Sequence, residues 1–202
     1  MRVTINFGGS VINPEEIELE RIEKISEVLK LLKKRDHEVL TVVGGGNTAR
    51  KYIGAAKDLG ASHKDLDRIG IEATRLNARL LISALGEEAQ LEPPQSFEKA
   101  IRCSLKNKIP VMGGTKPGHT TDAVAAELAD TSNSELLIYV TDVEGVYTAD
   151  PDEDPEAEKI SRISSKKLYE LMSKMDHEPG MNAILDPFAA EIIQNNRIRT
   201  LV

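Results

Sequence analysis

The sequence predicts an α/β fold in which helices cover a mostly parallel sheet. Short apolar runs of strand type alternate with longer amphipathic stretches along the 202 residues, as repeated strand–helix units require. Three of the strand-like runs end in glycine turns: Gly8-Gly9-Ser10, Gly44-Gly45-Gly46 and Gly113-Gly114-Thr115. Ligands of open α/β sheets collect outside the carboxyl ends of the strands. Three such turns converging on one edge therefore suit a long ligand with several phosphates. The length fits a single domain over 1–202 with room for a sizeable core.

Residues 3–7 read as the first strand, and residues 14–35 as a helix with Ile17, Ile22, Ile25, Val28, Leu29 and Leu32 on one stripe. Lys33, Lys34 and Arg35 suit the negative end of that helix. A second strand spans 38–43, and helices are expected over 48–59 and 69–85. Pro93-Pro94 interrupts the pattern before a further helix at 96–106. Short strands at 109–112 and 135–140 bracket a helix at 123–129. A polar loop, 141–158, precedes helices at 164–175 and 186–195, and Arg199 opens what reads as one more strand.

Lys and Arg total 26 against 33 Asp and Glu, a formal charge of -7, and no basic block stands out. This composition argues against a dedicated nucleic-acid binder and leaves phosphates to be held by local groups. Cys103 is the only cysteine, so an intramolecular disulfide is excluded and a reducing, cytoplasmic setting is expected. No apolar run reaches membrane-spanning length, and the first residues read as a strand, so no membrane role is expected.

The segment from Gly113 to Asp122 carries the most chemistry. A glycine turn that opens a helix with threonines and an aspartate presents free N–H groups and hydroxyls at the positive end of a helix dipole. A phosphate group needs that arrangement. Thr120, Thr121 or Asp122 can cap the helix while another meets ligand. Other motifs fail. No G-x-x-x-x-G-K-[ST] loop occurs. Gly44 to Ala49 matches a dinucleotide-binding pattern, but Asp65 and Asp67, at the right distance for its acidic partner, lie in helical sequence. Asp150, Asp152 and Asp154 mimic a calcium loop, yet Pro155 and Ser161 stand where glycine and glutamate are required. The four histidines have no metal-ligand spacing, so no residue is assigned as a metal ligand.

Four segments together resemble the amino acid kinase family and, within it, the archaeal type of uridylate kinase: I-N-F-G-G-S from Ile5, V-V-G-G-G-N-T-A-R-K-Y from Val42, M-G-G-T-K-P-G-H-T-T-D-A-V-A-A from Met112 and T-D-V-E-G-V-Y-T-A-D-P from Thr141. The resemblance covers essentially the whole chain. It implies a three-layer α/β/α sandwich, ATP with Mg2+ as phosphoryl donor, UMP as acceptor, a step of pyrimidine nucleotide synthesis, and a homo-oligomer, commonly a hexamer. It places Gly9, Ser10, Gly46 and Arg50 at the ATP phosphates, and Thr141, Asp142, Tyr147 and Asp150 on the adenosine side. Gly45 would contact UMP, Asp67 its ribose, and Thr115, Lys116, Pro117, Gly118, His119, Thr120 and Thr121 its phosphate. Asp122 and Arg50 are the catalytic candidates, with Asp122 organising the cations around the transferring group.

Each assignment has a plainer alternative. Arg50 could be a surface charge, Asp67 a cap for the helix near Ile69, Tyr147 a packing aromatic and Asp150 a turn residue; Lys116 and His119 could face solvent. Two departures stand out. Bacterial relatives carry a first-strand lysine where this chain has Asn6-Phe7-Gly8-Gly9, leaving Lys51, Lys116, Lys159 or Arg50 to supply the cation. Family members also continue past the strand at Arg199 with a helix and a final strand, which this sequence does not show. Alternative functions are a kinase of the same fold with another small acceptor, or a non-catalytic nucleotide or oxyanion binder.

Overall fold

The computed structural model describes residues 1–148, 156–173 and 185–202. Among these, five strands form one sheet in the order β3-β2-β1-β4-β5, with every pairing parallel. They are β1 (Arg2–Phe7), β2 (Glu38–Val43), β3 (Val111–Met112), β4 (Leu136–Val140) and β5 (Thr200–Leu201). Phe7 stands level with both Val43 and Val140, and Val42 with Met112. The turns that follow β1, β2, β3 and β4 therefore emerge on one edge.

Helices cover both faces, so the strands read as nearly continuous apolar runs. One face carries α2 (Leu19–Lys34) and α4 (His63–Leu85), packed on Val3, Ile5, Phe7, Val39, Val43 and Val111. The other carries α6 (Thr121–Thr131), α7 (Ser165–Met172) and α8 (Pro187–Asn196), packed on Leu40, Val42, Met112, Leu137 and Tyr139. The remaining helices are α1 (Gly9–Ile12), α3 (Gly46–Asp58), α5 (Phe97–Leu105) and a short 3-10 turn at Gly86–Glu88. The expected three-layer α/β/α sandwich is present. The two-residue period of β1 puts Val3, Ile5 and Phe7 on one face, leaving Thr4 and Asn6 to the α6 side. Asn6 is thereby aimed at the head of α6.

The helix expected over 14–35 starts only at Leu19 and then runs unbroken to Lys34. Asn13, before Pro14, ends α1 with φ -146 and ψ 80, because the proline ring pushes its predecessor out of the helical region. Ile17 falls outside α2 and is exposed, as is Val28, so the buried stripe is Ile22 and Leu29 with Ile25 and Leu32 at its margin. In the other direction, α4 starts at His63, six residues before the expected Ile69. Ser62 caps it by accepting a hydrogen bond from Asp65 N–H, a serine–acid spacing of the capping-box kind. Strand β3 shortens to two residues, since Pro110 has no N–H to offer the ladder. Its carbonyl instead accepts from Thr41 N–H at 3.0 Å.

Candidate active site

At the carboxyl edge of the sheet, the loops after β1 and β2 lie in direct backbone contact. A Cβ on Gly9 would stand 2.1 Å from Gly46 N, and one on Gly44 would stand 2.4 Å from Gly9 N. Any side chain there would force the two turns apart. Gly46 also has φ +55, in the left-handed region, with Gly9 O 2.3 Å from where its Cβ would be. Helix α4 braces this arrangement from behind. Asn77 Nδ2 donates to Gly44 O at 2.9 Å and Gly45 O at 3.0 Å, and Thr74 Oγ1 accepts from Gly114 N at 2.6 Å. Farther up the same helix, Asp67 Oδ2 accepts from Gly118 N at 2.9 Å.

The turns enclose a cavity of about 680 Å³. Helices α3 and α6 both begin at its wall, through Gly46 and Thr121. Two helix N-termini and a set of glycine backbones thus face the same space, which favours anionic ligands.

Asp122 occupies the second position of α6, behind Thr120, whose hydroxyl caps the helix by accepting from Ala123 N–H at 3.1 Å. Asn6 Nδ2 donates to Asp122 Oδ1 at 2.7 Å, and Tyr139 OH donates to the Asp122 carbonyl at 2.9 Å. Burial, with the nearby Asp186 carboxylate adding to it, pushes the Asp122 carboxyl up to about 7, although the Asn6 amide pulls the other way. Burial, and then Asp122 and Asp186, likewise hold the Tyr139 phenol well above its ordinary range, so it remains a neutral donor. Asp186 caps α8 through Phe188 N–H and Ala189 N–H, both at 2.9 Å, and its other oxygen takes the Thr120 hydroxyl. Asn6 Oδ1 is buried without a hydrogen-bond partner among the described residues.

Most of the sequence-derived site residues meet here. Gly9, Ser10, Gly45, Gly46, Arg50, Asp67, Lys116, Gly118, His119, Thr120, Thr121, Asp122, Thr141 and Asp142 all line the cavity. Thr115, Pro117 and Tyr147 do not: the first two lie in the same loop but off the wall, and Tyr147 forms an isolated bridge with Lys159. Asp150 lies outside the described residues. Asp67 is no cap, because it sits inside α4 and holds the Gly118 turn instead. Of the four cations considered for the first-strand role, Lys51 is exposed and off the wall, and Lys159 faces Glu144 at 3.7 Å. Arg50 and Lys116 remain at the cavity; Arg50 Nη2 also donates weakly to Pro14 O at 3.4 Å.

The sequence reading missed Asn6, Thr74 and Asp186 as parts of the site. Asp186 carried a signal, since an aspartate before Pro187 is a strong N-cap pattern. Asn6, a polar residue between Ile5 and Phe7 near the buried end of β1, carried another.

Comparison with known proteins agrees with this architecture. The profile of the amino acid kinase family matches residues 1–202. A uridylate kinase of Natronomonas pharaonis is 47% identical over 202 residues, spanning 100% of this chain and 88% of that protein. One from Thermococcus gammatolerans is 47% identical over 203 residues, spanning 100% of this chain and 89% of its own. The crystal structure of uridylate kinase from Archaeoglobus fulgidus superposes with a TM-score of 0.89 at 43% identity, covering 99% of this chain and 89% of that one. An aspartate kinase from Synechocystis, 21% identical, shares the fold with a TM-score of 0.75, over 99% of this chain and 38% of that one. The chain belongs to the amino acid kinase family.

Proposed function

We propose that the chain is a uridylate kinase, transferring the terminal phosphoryl group of ATP to UMP to give UDP in pyrimidine nucleotide synthesis. The observation that carries this reading is 47% identity, along the whole chain, to a uridylate kinase. The cavity supplies chemistry of the right kind. The acceptor is a phosphate oxygen, anionic at neutral pH, so no general base is needed to create the nucleophile. The obstacle is repulsion between two anions brought into line, and positioning with electrostatic compensation overcomes it.

On this reading the β1–β2 glycine edge, with Gly9, Ser10 and Gly46, takes the ATP phosphates, and Arg50 adds charge beside them. Thr141 and Asp142 flank the adenosine, and Gly45, Asp67 and the 115–121 loop receive UMP. Magnesium accompanying ATP would supply positive charge that offsets the repulsion between the two phosphates. Among the described residues no group of three or more His, Cys, Asp or Glu is placed to hold a metal. An ion carried mainly by nucleotide phosphates takes only one or two protein carboxylates beside water. Asp122 fits that part, because its charge is costly in its buried setting until a cation arrives. Among the described residues no helix is long and apolar enough to cross a membrane. A cytoplasmic homo-oligomer, a hexamer by family likeness, completes the proposal.

The test is ADP release with ATP and magnesium, offering UMP, CMP, dUMP and AMP in parallel, to wild type and Asp122→Ala. Turnover with UMP, reduced at least about a hundredfold in the variant, is expected. Turnover only with another acceptor would assign a sister kinase. Binding of ATP or UMP without turnover would assign a nucleotide binder.

A further inference from the structure

Asn13 is a buried polar residue that the reaction as described does not use. It stands at the end of α1, the single turn that carries Gly9 and Ser10, and its own N–H donates to Gly9 O at 2.8 Å. Its other groups reach across to the first turn of α3. Asn13 O accepts from Asn47 N–H at 2.9 Å, and Asn13 Nδ2 donates to Thr48 Oγ1 at 2.6 Å. Backbone N–H, backbone carbonyl and side-chain amide therefore join the two halves of one cavity wall: α1 with Gly9 and Ser10, and α3 with Gly46 and Arg50.

The next two residues extend the contact. Glu15 O accepts from Asn47 Nδ2 at 2.6 Å, and Pro14 O takes Arg50 Nη2 at 3.4 Å. Three consecutive carbonyls thus meet donors from the start of α3. That helix has no side-chain cap of its own, since Gly45 is its N-cap, so Asn13 satisfies an N–H group that would otherwise lack a partner. Pro14 keeps Asn13 out of the helical region, and these carbonyls are not taken up by a continuing helix. The packing is close as well as polar, because a Cβ on Gly46 would stand 2.4 Å from Asn13 O. Neither Asn13, Asn47 nor Thr48 lines the cavity itself.

We propose that Asn13 is a positioning residue: through Asn47 and Thr48 it latches α1 to α3 and so fixes the spacing of Gly9, Ser10, Gly46 and Arg50 that receives the ATP phosphates. This rests on the reading of the chain as a uridylate kinase and adds to it the support of its donor site. The contact between Arg50 and Pro14 is long, and a charged phosphate oxygen outcompetes a carbonyl for the guanidinium. The 13–15 segment thus keeps Arg50 beside the phosphates without withholding it. Other bonds hold the acceptor side, Asp67 on Gly118 and Thr120 on Asp186, so loosening the latch weakens the donor nucleotide selectively.

Steady-state kinetics and calorimetric binding of ATP with magnesium test it on wild type, Asn13→Ala, Thr48→Val, Thr48→Ser and the double variant of the first two changes. Asn13→Ala and Thr48→Val should each raise KM and Kd for ATP about tenfold, with KM for UMP within about threefold. Thr48→Ser keeps the hydroxyl and should stay within about threefold of wild type. The double variant should match the worse single one, as a shared bond requires. An unaltered Kd for ATP in Asn13→Ala, an equal rise in KM for ATP and UMP, or a Thr48→Ser as impaired as Thr48→Val would overturn the proposal. Melting curves identify a variant that fails to fold; Thr48→Val, which keeps the shape of threonine, then decides against Thr48→Ser. Absence of UMP turnover in the wild type would instead sink the functional reading, and ATP binding would still decide the latch.

Discussion

Along the β1–β2 wall of the cavity, backbone rests on backbone: Gly9 and Gly44 leave no room for even a Cβ against the facing turn. Along the α6–α8 wall, side chains do the holding, through Asn6 on Asp122, Asp67 on Gly118, Thr120 on Asp186 and His119 on Phe188. The first wall presents N–H groups that cannot titrate or swing away, and suits a ligand whose phosphates are always the same. The second is assembled from groups whose charge and rotamer respond to substitution and protonation. Contacts that discriminate one acceptor from another belong on that adjustable side.

The largest effect is expected where the rigid wall is breached. Gly9→Ala places a methyl 2.1 Å from Gly46 N and 2.7 Å from Gly46 Cα, where backbone has to move. Stability should fall by about 2–3 kcal/mol and kcat/KM for ATP by about a hundredfold or more. A soluble variant with near-native kinetics would show that the two turns are not rigidly packed.

A middle effect is expected on the adjustable wall, from Asp122 in the protein free of nucleotide and magnesium. Its carboxyl titrates near 7 when folded against an ordinary 3.8, so between these values the native state binds the proton more tightly than the unfolded chain. Its share of stability is fully present below pH 3.8 and is lost as pH rises through 7, on the order of 4 kcal/mol at most. Asp122→Asn removes that dependence, so its urea midpoint should exceed the wild-type value at pH 8 while the two converge near pH 4. Parallel pH profiles for the two proteins would show that Asp122 is charged throughout.

The smallest effect is a control outside both walls. Gly54 is an exposed interior residue of α3, with no atom within 4 Å of an added Cβ. Gly54→Ala should stabilise by about 0.5–1 kcal/mol and leave catalysis untouched, which thermal melts and one rate assay check. The same substitution, glycine to alanine, thus has opposite signs at positions 9 and 54.

Much of the fold was legible because local chemistry dictates it. Strand β2 was placed to the residue, and the helix ends at Ser96, Thr120, Ser164 and Asp186 fall where side-chain caps accept N–H groups. The late start of α2 at Leu19 has no local signal, whereas Ser62-x-x-Asp65 marks the early start of α4. The exposed Val28 shows the limit of periodicity itself: a stripe can be wider than the surface it packs against.

The sequence alone determined that strands end in glycine turns, that α6 opens with threonines and an aspartate, and that no strong positive field exists to attract phosphates. These are properties of neighbouring residues, fixed by backbone sterics, capping and composition. Tertiary structure decided which distant groups share the space: Asn6 with Asp122, Asp67 with Gly118, Thr120 with Asp186 and Thr74 with Gly114. Each of these joins residues at least 40 positions apart. The parallel register of the sheet, the crossing of α4 behind it and the packing of α6 on α8 in front bring them within hydrogen-bond range. The raised Asp122 carboxyl follows from the same cause, since burial and a second carboxylate from another helix are features of the assembled protein and not of any segment.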